Sequence, residues 1–387
     1  MMTSVLYISP SVLPSRTANS VHVVHQCSGF SSAGADVTLV ARRSVRDASQ
    51  LSGEVEKAYG VSADALRLET FFRKGSRADS IVIALFALAT VWPWKKWDMI
   101  LSRNLYASYL IGVLFRRRLM FETHQVETGI RGRLQRALMV RDNVVTIVIS
   151  YRLFEILAET HGCQPAHRLI LHDAAPAGIA RLESGEKRAE LARLVPGFDL
   201  DEYRAVCGYF GHLYQGRGIE IVAQMAASRP ECAFLVFGGN DDDIVRCRET
   251  FKYPNLHFAG FVSHAVAQAD MAACDVLVMP YQRSVLIGAE GQDTARWMSP
   301  MKMFEYMASG TPLISSDLPV LREVLSDGKN ALLAPTDDID AWCAQLDRLI
   351  SQPEFAAQLA GCAHEEYLNE YNWLSRAQKI LAAGVHA

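Results

Sequence analysis

The sequence predicts an α/β protein built from two doubly wound parallel sheets, one in each half of the chain. Three observations carry this. Short apolar runs alternate with helical segments along both halves, the pattern of β-α-β units. The alternation breaks once, over a charged stretch with prolines and glycines at 176–204, and then restarts. The 387 residues are 50% apolar and 21% charged, a globular composition long enough for two ordinary cores.

The elements follow in order. The run "SVLYISP" (4–10) ends at proline and reads as a buried strand. "SVHVVHQCSGFSSAG" (20–34) is a helix stopped by Gly34, and "DVTLVAR" (36–42) is the next strand. A strand, a helix and a strand so spaced form a parallel pair. A helix over 79–91, a strand at 98–104, a helix at 105–115, a strand "RLMFETH" (118–124) and a helix at 130–140 continue the series. A strand at 144–150, a helix at 151–160 and a strand at 168–174 complete a first domain of residues 1–175. Residues 176–204 read as a linker carrying one polar helix. The second domain, 205–368, opens with a strand at 204–210 and a helix at 218–228. Strands at 233–239, 256–262 and 275–280 follow, with a helix at 264–273. A helix at about 300–309 and strands at 312–316 and 330–335 come next, before helices at 337–351, 354–369 and 372–383. In "NDDD" (240–243) the polar residues suit a helix N-cap better than a metal site.

Bulk features narrow the class. The net charge of −3 is unevenly placed: residues 1–172 hold 21 Lys and Arg against 13 Asp and Glu, a balance of +8, and the remainder balances to −11. The basic half carries Arg116, Arg117 and Arg118, then Arg131, Arg133, Arg136 and Arg141. Such a surface is either simply solvated or meets an anionic substrate or lipid. The longest apolar run, "IVIALFALATVWPW" (81–94), is 14 residues, short of the ~20 of a membrane-spanning helix. A buried helix fits it, and an interfacial segment bordered by Trp92, Trp94, Lys95, Lys96 and Trp97 is the alternative. The opening "MMTSVLYISPS" has no basic leader, so no signal peptide is expected. Eight cysteines without a C-x-x-C pair indicate neither a zinc ribbon nor a dithiol site and fit a reducing cytoplasm. His22 and His25 lie at i,i+3 with no third ligand near in sequence and read as a packed helix face.

Two common nucleotide motifs are missing. The first strand-to-helix turn, "SPSVLPSRTANS", holds no glycine, and no Walker A loop occurs. Anion chemistry instead concentrates in the second half. In "SPMKMFEYMASG", Ser299 is a suitable N-cap, Pro300 suits the first helical position and Gly310 stops the helix. The unpaired first-turn amides and Lys302 can hold phosphate, while Glu305, one turn on, can take both hydroxyls of a ribose. A Lys–Glu surface pair explains this helix equally well taken alone. The loop "GHLYQGRG", with Gly211, Gly216, Gly218 and Arg217 between a strand and a helix, tips the balance to a diphosphate.

These segments resemble a family. "GHLYQGRGIEIV" is similar to the G-x-L-x-x-x-K-G signature of GT-B-fold nucleotide-sugar glycosyltransferases of the family 4 type. "SPMKMFEYMASGTPLISSDLPVLREVL" resembles their donor-binding segment, "GKNALLAP" and "EYNWLSRAQKIL" their tail, and "LYISPSVLPSRTANSVHVV", more loosely, their opening. The resemblance implies two Rossmann-like domains facing across a cleft, with 369–387 packing back on the first. It implies a donor site of Gly211, His212, Arg217, Gly238, Gly260, Phe261, Val262, Ser299, Pro300, Met301, Lys302 and Glu305. Glu305 would bind the ribose, and Gly260, Phe261 and Val262 would lie by the base. Arg217 and Lys302, with the backbone at 299–301, would hold the diphosphate leaving group. His124, at the end of a strand, would reach towards the sugar, and Glu122 shares its face as an orienting partner or, more simply, a surface carboxylate. Arg103 and Asn104 are acceptor-side candidates. No metal and no cofactor is implied beyond the nucleotide-sugar co-substrate.

This chain departs from the pattern at three places. Trp297 stands where the family often has a carboxylate eight residues before the ribose Glu, Arg217 replaces Lys, and His212 replaces Arg. The sugar-hydroxyl contacts are therefore not carried over. The reading is a retaining transferase working from a UDP- or GDP-sugar onto a glycan, lipid-linked or polysaccharide-precursor acceptor. It is placed in the cytoplasm, in peripheral contact with an anionic membrane, with no nucleic-acid partner. An epimerase of the same architecture and a non-catalytic sugar-nucleotide-binding protein are the alternatives.

Overall fold

The computed structural model describes residues 2–72, 79–91, 97–176, 184–262, 264–287 and 292–386. The chain divides into two compact units, Met1–Ala174 with Asn372–Ala387, and Ala175–Tyr371. In the first unit the elements run β1 (Ser4–Leu13), α1 (Ala18–Ser32), β2 (Asp36–Arg43), α2 (Leu51–Tyr59), β3 (Arg67–Phe72), α3 (Asp79–Val91), β4 (Met99–Ser102) and α4 (Leu105–Ser108). They continue as β5 (Leu119–Thr123), α5 (Gly129–Met139), β6 (Val144–Val148), α6 (Tyr151–His161) and β7 (His167–Ile170). The strands form one sheet in the order β3-β2-β1-β4-β5-β6-β7, and all its pairings are parallel. Strands covered on both faces read as continuous apolar runs, which is why β4, β5 and β6 are buried at every position.

The second unit holds α7 (Ser184–Leu194), β8 (Ala205–Phe210), α8 (Ile219–Ser228), β9 (Cys232–Phe237), α9 (Asp241–Thr250), β10 (Leu256–Gly260), α10 (His264–Ala273) and β11 (Val276–Met279). A short ribbon, β12 (Leu286–Ile287) with β13 (Gln292–Asp293), precedes α11 (Met301–Ser309), β14 (Leu313–Ser316), β15 (Leu332–Ala334), α12 (Ile339–Ser351) and α13 (Pro353–Glu370). The main sheet is ordered β10-β9-β8-β11-β14-β15. The last helix, α14 (Trp373–His386), belongs to the first unit and packs along α1. In both sheets the strand order reverses beside the first strand, between β1 and β4 and between β8 and β11. Ligands of such sheets bind outside the carboxyl ends of the strands at that reversal.

Several expectations are corrected. The segment between β2 and α3 was unassigned in the sequence reading, yet α2 and β3 fill it. "RLETFF" is an edge strand, half-exposed along its length, so no apolar run announces it. The helix expected over 105–115 is one turn of α-helix, α4, followed by a π-helical segment at Tyr109–Leu114. The polar helix α7, expected in a linker, packs against α10 and buries Leu191 and Val195 in the core of the second unit. Linker residues 177–183 lie outside the described residues, as do Trp92, Trp94, Lys95 and Lys96 of the aromatic and basic border. "NDDD" resolves as expected: Asn240 caps α9, its Oδ1 accepting from the Asp243 amide at 2.8 Å. All eight cysteines are free thiols. Among the described residues, no helix is long and apolar enough to cross a membrane.

Candidate functional site

In the second unit the predicted residues gather at the strand ends beside the sheet's reversal point. Gly211, Gly238 and Gly260 end or follow β8, β9 and β10. Their loops close on one another: the Gly238 amide donates to the Gly260 carbonyl at 2.7 Å, and the Gly211 amide to the Phe237 carbonyl at 2.9 Å. A Cβ at Gly238 would lie 2.2 Å from the Gly211 oxygen, so only glycine permits this approach. The loop after β8 is wedged in the same way against the chain after β11. A Cβ at Gly218, which sits at φ +81°, would lie 1.8 Å from the Pro280 oxygen.

That wedge presses Arg217 onto Tyr281. The guanidinium lies over the rings of Tyr214 and Tyr281, 4.7 and 5.1 Å from their centroids. Its Nη1 donates to the Tyr281 hydroxyl at 2.7 Å, and its Nη2 donates to the Tyr214 hydroxyl. Lys302 comes from the first turn of α11, which follows β11 through the ribbon. Its Nζ is buried, 4.3 Å from the Tyr209 centroid and 4.8 Å from that of Tyr281, and it has no hydrogen-bond partner among the described residues. Burial and the neighbouring Arg217 hold its pKa well below the usual lysine range, against the pull of Glu305. Glu305 is buried one turn further along. Two cations thus lie among tyrosine rings, where quadrupoles replace part of the lost hydration but supply no anionic oxygen.

The helix start differs by one position from the sequence reading. α11 begins at Met301, and Pro300, in extended backbone, is its cap and makes no side-chain hydrogen bond of its own. Proline has a carbonyl but no side-chain acceptor, so the first-turn amides keep their anion-binding capacity. Ser299 is buried beside it. His212 stacks on Tyr214 at 5.3 Å, and burial, Arg217 and Lys302 lower its pKa, so a neutral ring stands in place of the family's Arg. Phe261 exposes half its surface next to Gly260, while Val262 packs on the core. Trp297 is half-buried, four residues before α11.

In the first unit a second group assembles around Glu122. This carboxylate is buried in full, which corrects the surface reading. Its Oε2 accepts from the Tyr7 hydroxyl at 2.9 Å, and its Oε1 meets Arg376 Nη2 at 2.7 Å, His124 Nε2 at 2.9 Å and His22 Nε2 at 3.1 Å. His22 Nδ1 lies 2.9 Å from Asp173. His22, Glu122 and His124 bring ligand-type atoms within 4.8 Å of one another. The sequence reading found no third group for His22, because its neighbours lie a hundred residues away in sequence. Arg376 already covers the carboxylate oxygen a cation would need. His124 follows β5, with a fifth of its side chain exposed. Arg103 follows β4, and its Nη1 is buried without a hydrogen-bond partner among the described residues. Asn104 is committed to the fold instead: its Oδ1 caps α4 at the Ala107 amide, 2.9 Å away, and its Nδ2 donates to the Ser80 carbonyl at 2.9 Å. An Asn just before a helix is a cap by position, and that role displaces the acceptor-side role expected of it.

The two reversed sheets define a GT-B fold. A crystal structure of Anabaena HepE in complex with UDP matches over 100% of both chains with a TM-score of 0.71, at 14% identity. In the second unit, residues 204–352 match the family described as Glycosyl transferases group 1. Among sequence relatives, the phosphatidyl-myo-inositol mannosyltransferase of Mycolicibacterium smegmatis is 29% identical over 158 residues, covering 41% of this chain and 38% of the relative. That of Mycobacterium tuberculosis is 25% identical over 239 residues, covering 56% and 60%. The chain therefore spans between about two fifths and three fifths of the length of these relatives.

Proposed function

We propose that this chain transfers a sugar from a nucleoside-diphosphate sugar to a glycan or lipid-linked acceptor. The observation that carries the reading is the buried Lys302 ammonium, between two tyrosine rings and without a hydrogen-bond partner among the described residues, beside Arg217 and at a helix start capped by a proline. A diphosphate supplies the missing oxygens. In the transfer the bond from the anomeric carbon to the β-phosphate oxygen breaks, and its electrons stay on that oxygen. An acceptor hydroxyl bonds to the carbon and passes its proton to the departing β-phosphate oxygen. Lys302, Arg217 and the amides of α11 stabilise the charge that develops on the leaving diphosphate. Glu305 takes the ribose hydroxyls, Gly260, Phe261 and Val262 border the base, and Gly211 and Gly238 let the backbone approach the donor. His124 and Arg103 of the first unit serve the sugar and the acceptor. The HepE structure holds UDP and the mycobacterial relatives are mannosyltransferases by name, which supports a UDP- or GDP-sugar. Retention follows from the family resemblance.

Titration calorimetry with UDP and GDP tests the site. Glu305→Ala is expected to weaken nucleotide binding by about 1.5–3 kcal/mol, the value of a charged hydrogen bond; unchanged affinity would remove Glu305 from the donor site. Incubation with sugar nucleotides and isolated membranes separates transfer from donor hydrolysis or epimerisation.

A specific surface favours a lipid-linked acceptor. The first unit exposes Leu114 (57%) and Phe115 (47%), followed at once by the exposed Arg116, Arg117 and Arg118. Helix α3, apolar after its first two residues save for Thr90, exposes Ile81 (47%) and Leu85 (59%). Apolar side chains beside guanidinium groups suit the boundary of an anionic bilayer. Co-sedimentation with phosphatidylglycerol vesicles, and not with phosphatidylcholine vesicles, is expected; equal recovery on both would refute electrostatic docking.

A further inference from the structure

We propose that the second unit holds a further small-molecule site, in a cavity at the amino ends of its strands, and that this site takes an aliphatic carboxylate, an alkyl body with a single anionic head. The inference goes beyond the donor reading and does not rest on it, because none of the residues assigned to the nucleotide lines this cavity.

The place follows from the fold. Ala205 and Val276 are the first residues of β8 and β11, and Pro312 directly precedes β14. All three line a cavity of about 470 Å³, within the roughly 300–1,000 Å³ of small-molecule sites. The nucleotide cradle lies at the opposite, carboxyl ends of the same strands. The cavity wall is built from alanine, leucine, isoleucine and proline side chains of α12 and α13, and no aromatic residue is among the described ones that line it. Such a wall suits an alkyl body, whereas a ring gains from aromatic neighbours. One wall residue has no role in the packing. Gly361 lies inside the 18-residue helix α13, where glycine is the poorest helix former after proline. A Cβ there would meet nothing within 4 Å. Gly216 and Gly218 are demanded by a close backbone approach, and Gly361 is not. Its effect is to leave the cavity deeper by one side chain.

Charge selects the head group. Lys187 of α7 and Arg204, the residue before β8, stand at the cavity. Neither side chain has an ion-pair or hydrogen-bond partner among the described residues. Asp275, the one carboxylate among the described lining residues, is already committed: its Oδ2 accepts from the Val206 amide at 2.8 Å and from Arg188 Nη2 at 3.3 Å. Helix ends add partial charges. α10, α11 and α12 reach the cavity with their carboxyl ends, through Ala272, Ser309 and Ile350, and α13 reaches it with its amino end, through Pro353. Each end carries roughly half a charge, negative at a carboxyl end and positive at an amino end. Together the four helices bring about one negative charge, and the two unpaired cations leave a surplus of about one positive charge. A carboxylate matches that surplus, and a phosphate dianion exceeds it. The lysine offers a mobile point charge and the arginine a planar fork, both of which suit a carboxylate at the rim while the chain covers the apolar wall.

Titration calorimetry of the full-length protein with sodium decanoate, kept below micelle formation, tests this. Saturable binding of one decanoate per chain is expected, with acetate silent and neutral 1-decanol at least roughly ten-fold weaker, the scale of a lost charged hydrogen bond. Absence of decanoate binding, or equal binding of decanol, overturns the proposal, and decyl phosphate binding more tightly than decanoate overturns the charge match. Two variants locate the site. Gly361→Leu, which fills the cavity from a position with open space, is expected to abolish binding, and Lys187→Gln with Arg204→Gln to weaken it roughly ten-fold or more. Unchanged decanoate affinity in either overturns the assignment to this cavity. Both altered cations lie at the surface or half-buried, so that variant decides should Gly361→Leu not fold. UDP is expected not to displace decanoate, and displacement would move decanoate to the donor site and overturn the proposal. A chain that binds no UDP would refute the donor reading and leave the decanoate titrations decisive for this one.

Discussion

A lysine ammonium enclosed by two phenol rings, with no oxygen acceptor among the described residues, weakens the fold that holds it. Desolvation is met in part by the quadrupoles of Tyr209 and Tyr281, but the depressed pKa of Lys302 shows that the charged form is disfavoured. Lys302→Met, which keeps the volume and removes the charge, is therefore expected to stabilise the ligand-free protein by roughly 1–3 kcal/mol at pH 7 and to abolish measurable UDP binding. Chemical denaturation and calorimetry check the two halves; a destabilised variant would mean that the ammonium is held by something in the free protein. The sign of a second effect follows from the same shift. Bound diphosphate favours the ammonium form and raises the Lys302 pKa, so binding in alkaline buffer draws protons from it. The binding enthalpy is expected to be more endothermic in a buffer of high ionisation enthalpy, and identical heats in two buffers would contradict it. The place of Lys302 and Glu305 at the start of a buried helix was legible in sequence because Pro300 and Gly310 mark the two ends of that helix. The tyrosines were not: Tyr209, Tyr214 and Tyr281 sit on three segments and look like ordinary core or loop aromatics until Gly216 and Gly218 bring the loops together.

At the level of elements, strand ends were read well and edges poorly. β1, β5, β8 and β11 are apolar runs that stop at proline, histidine, glycine or loop, so the places where site residues emerge could be marked within one to three residues. β3 was missed because an edge strand alternates without a buried face, and α7 was set aside as linker because its charged side masks the two core residues Leu191 and Val195. The packing of α7 on α10 has a consequence for pH. Asp270 of α10 is fully buried beside Glu190 of α7, with Arg193 Nη2 3.9 Å away. Burial and Glu190 raise its pKa to about 7, with Arg193 opposing. The folded state therefore holds a proton that the unfolded chain releases above pH 3.8, and this contribution is lost as pH rises from 3.8 to about 7. Asp270→Asn mimics the protonated acid. It is expected to match the wild type near pH 4 and to exceed it by roughly 1–3 kcal/mol at pH 8; urea melts of both proteins at the two values measure this, and a gain at pH 4 equal to that at pH 8 would refute the protonation argument.

At the scale of the molecule, the first unit is closed by the two ends of the chain. α1 and α14 approach so tightly that a Cβ at Gly29 would lie 2.3 Å from the Trp373 oxygen, and Arg376 reaches through this contact to Gln26, the His172 carbonyl and Glu122. Sequence alone could not reveal the pairing, since nothing local in "EYNWLSRAQKIL" distinguishes an arginine that clamps a carboxylate from one that faces water. Removing one member of a buried, hydrogen-bonded ion pair leaves the other charge uncompensated, typically at about 3–5 kcal/mol. Arg376→Met is expected to cost that amount at pH 7, measured by urea unfolding. The pH dependence separates electrostatics from packing. In the wild type, His124 takes a proton more readily unfolded than folded, because its pKa falls from 6.5 to about 4 in the fold, so stability is full above 6.5 and declines as pH drops towards 4. Glu122, lowered from 4.5, adds a further loss below that value. Without Arg376 the carboxylate loses the strongest cause of its depressed pKa and takes up a proton at higher pH. The difference between wild type and Arg376→Met should therefore shrink as pH falls towards 4, where the uncompensated charge is neutralised. A constant difference across that range would assign the loss to packing of the arginine stem against α1, and the electrostatic role of the terminal helix would be wrong.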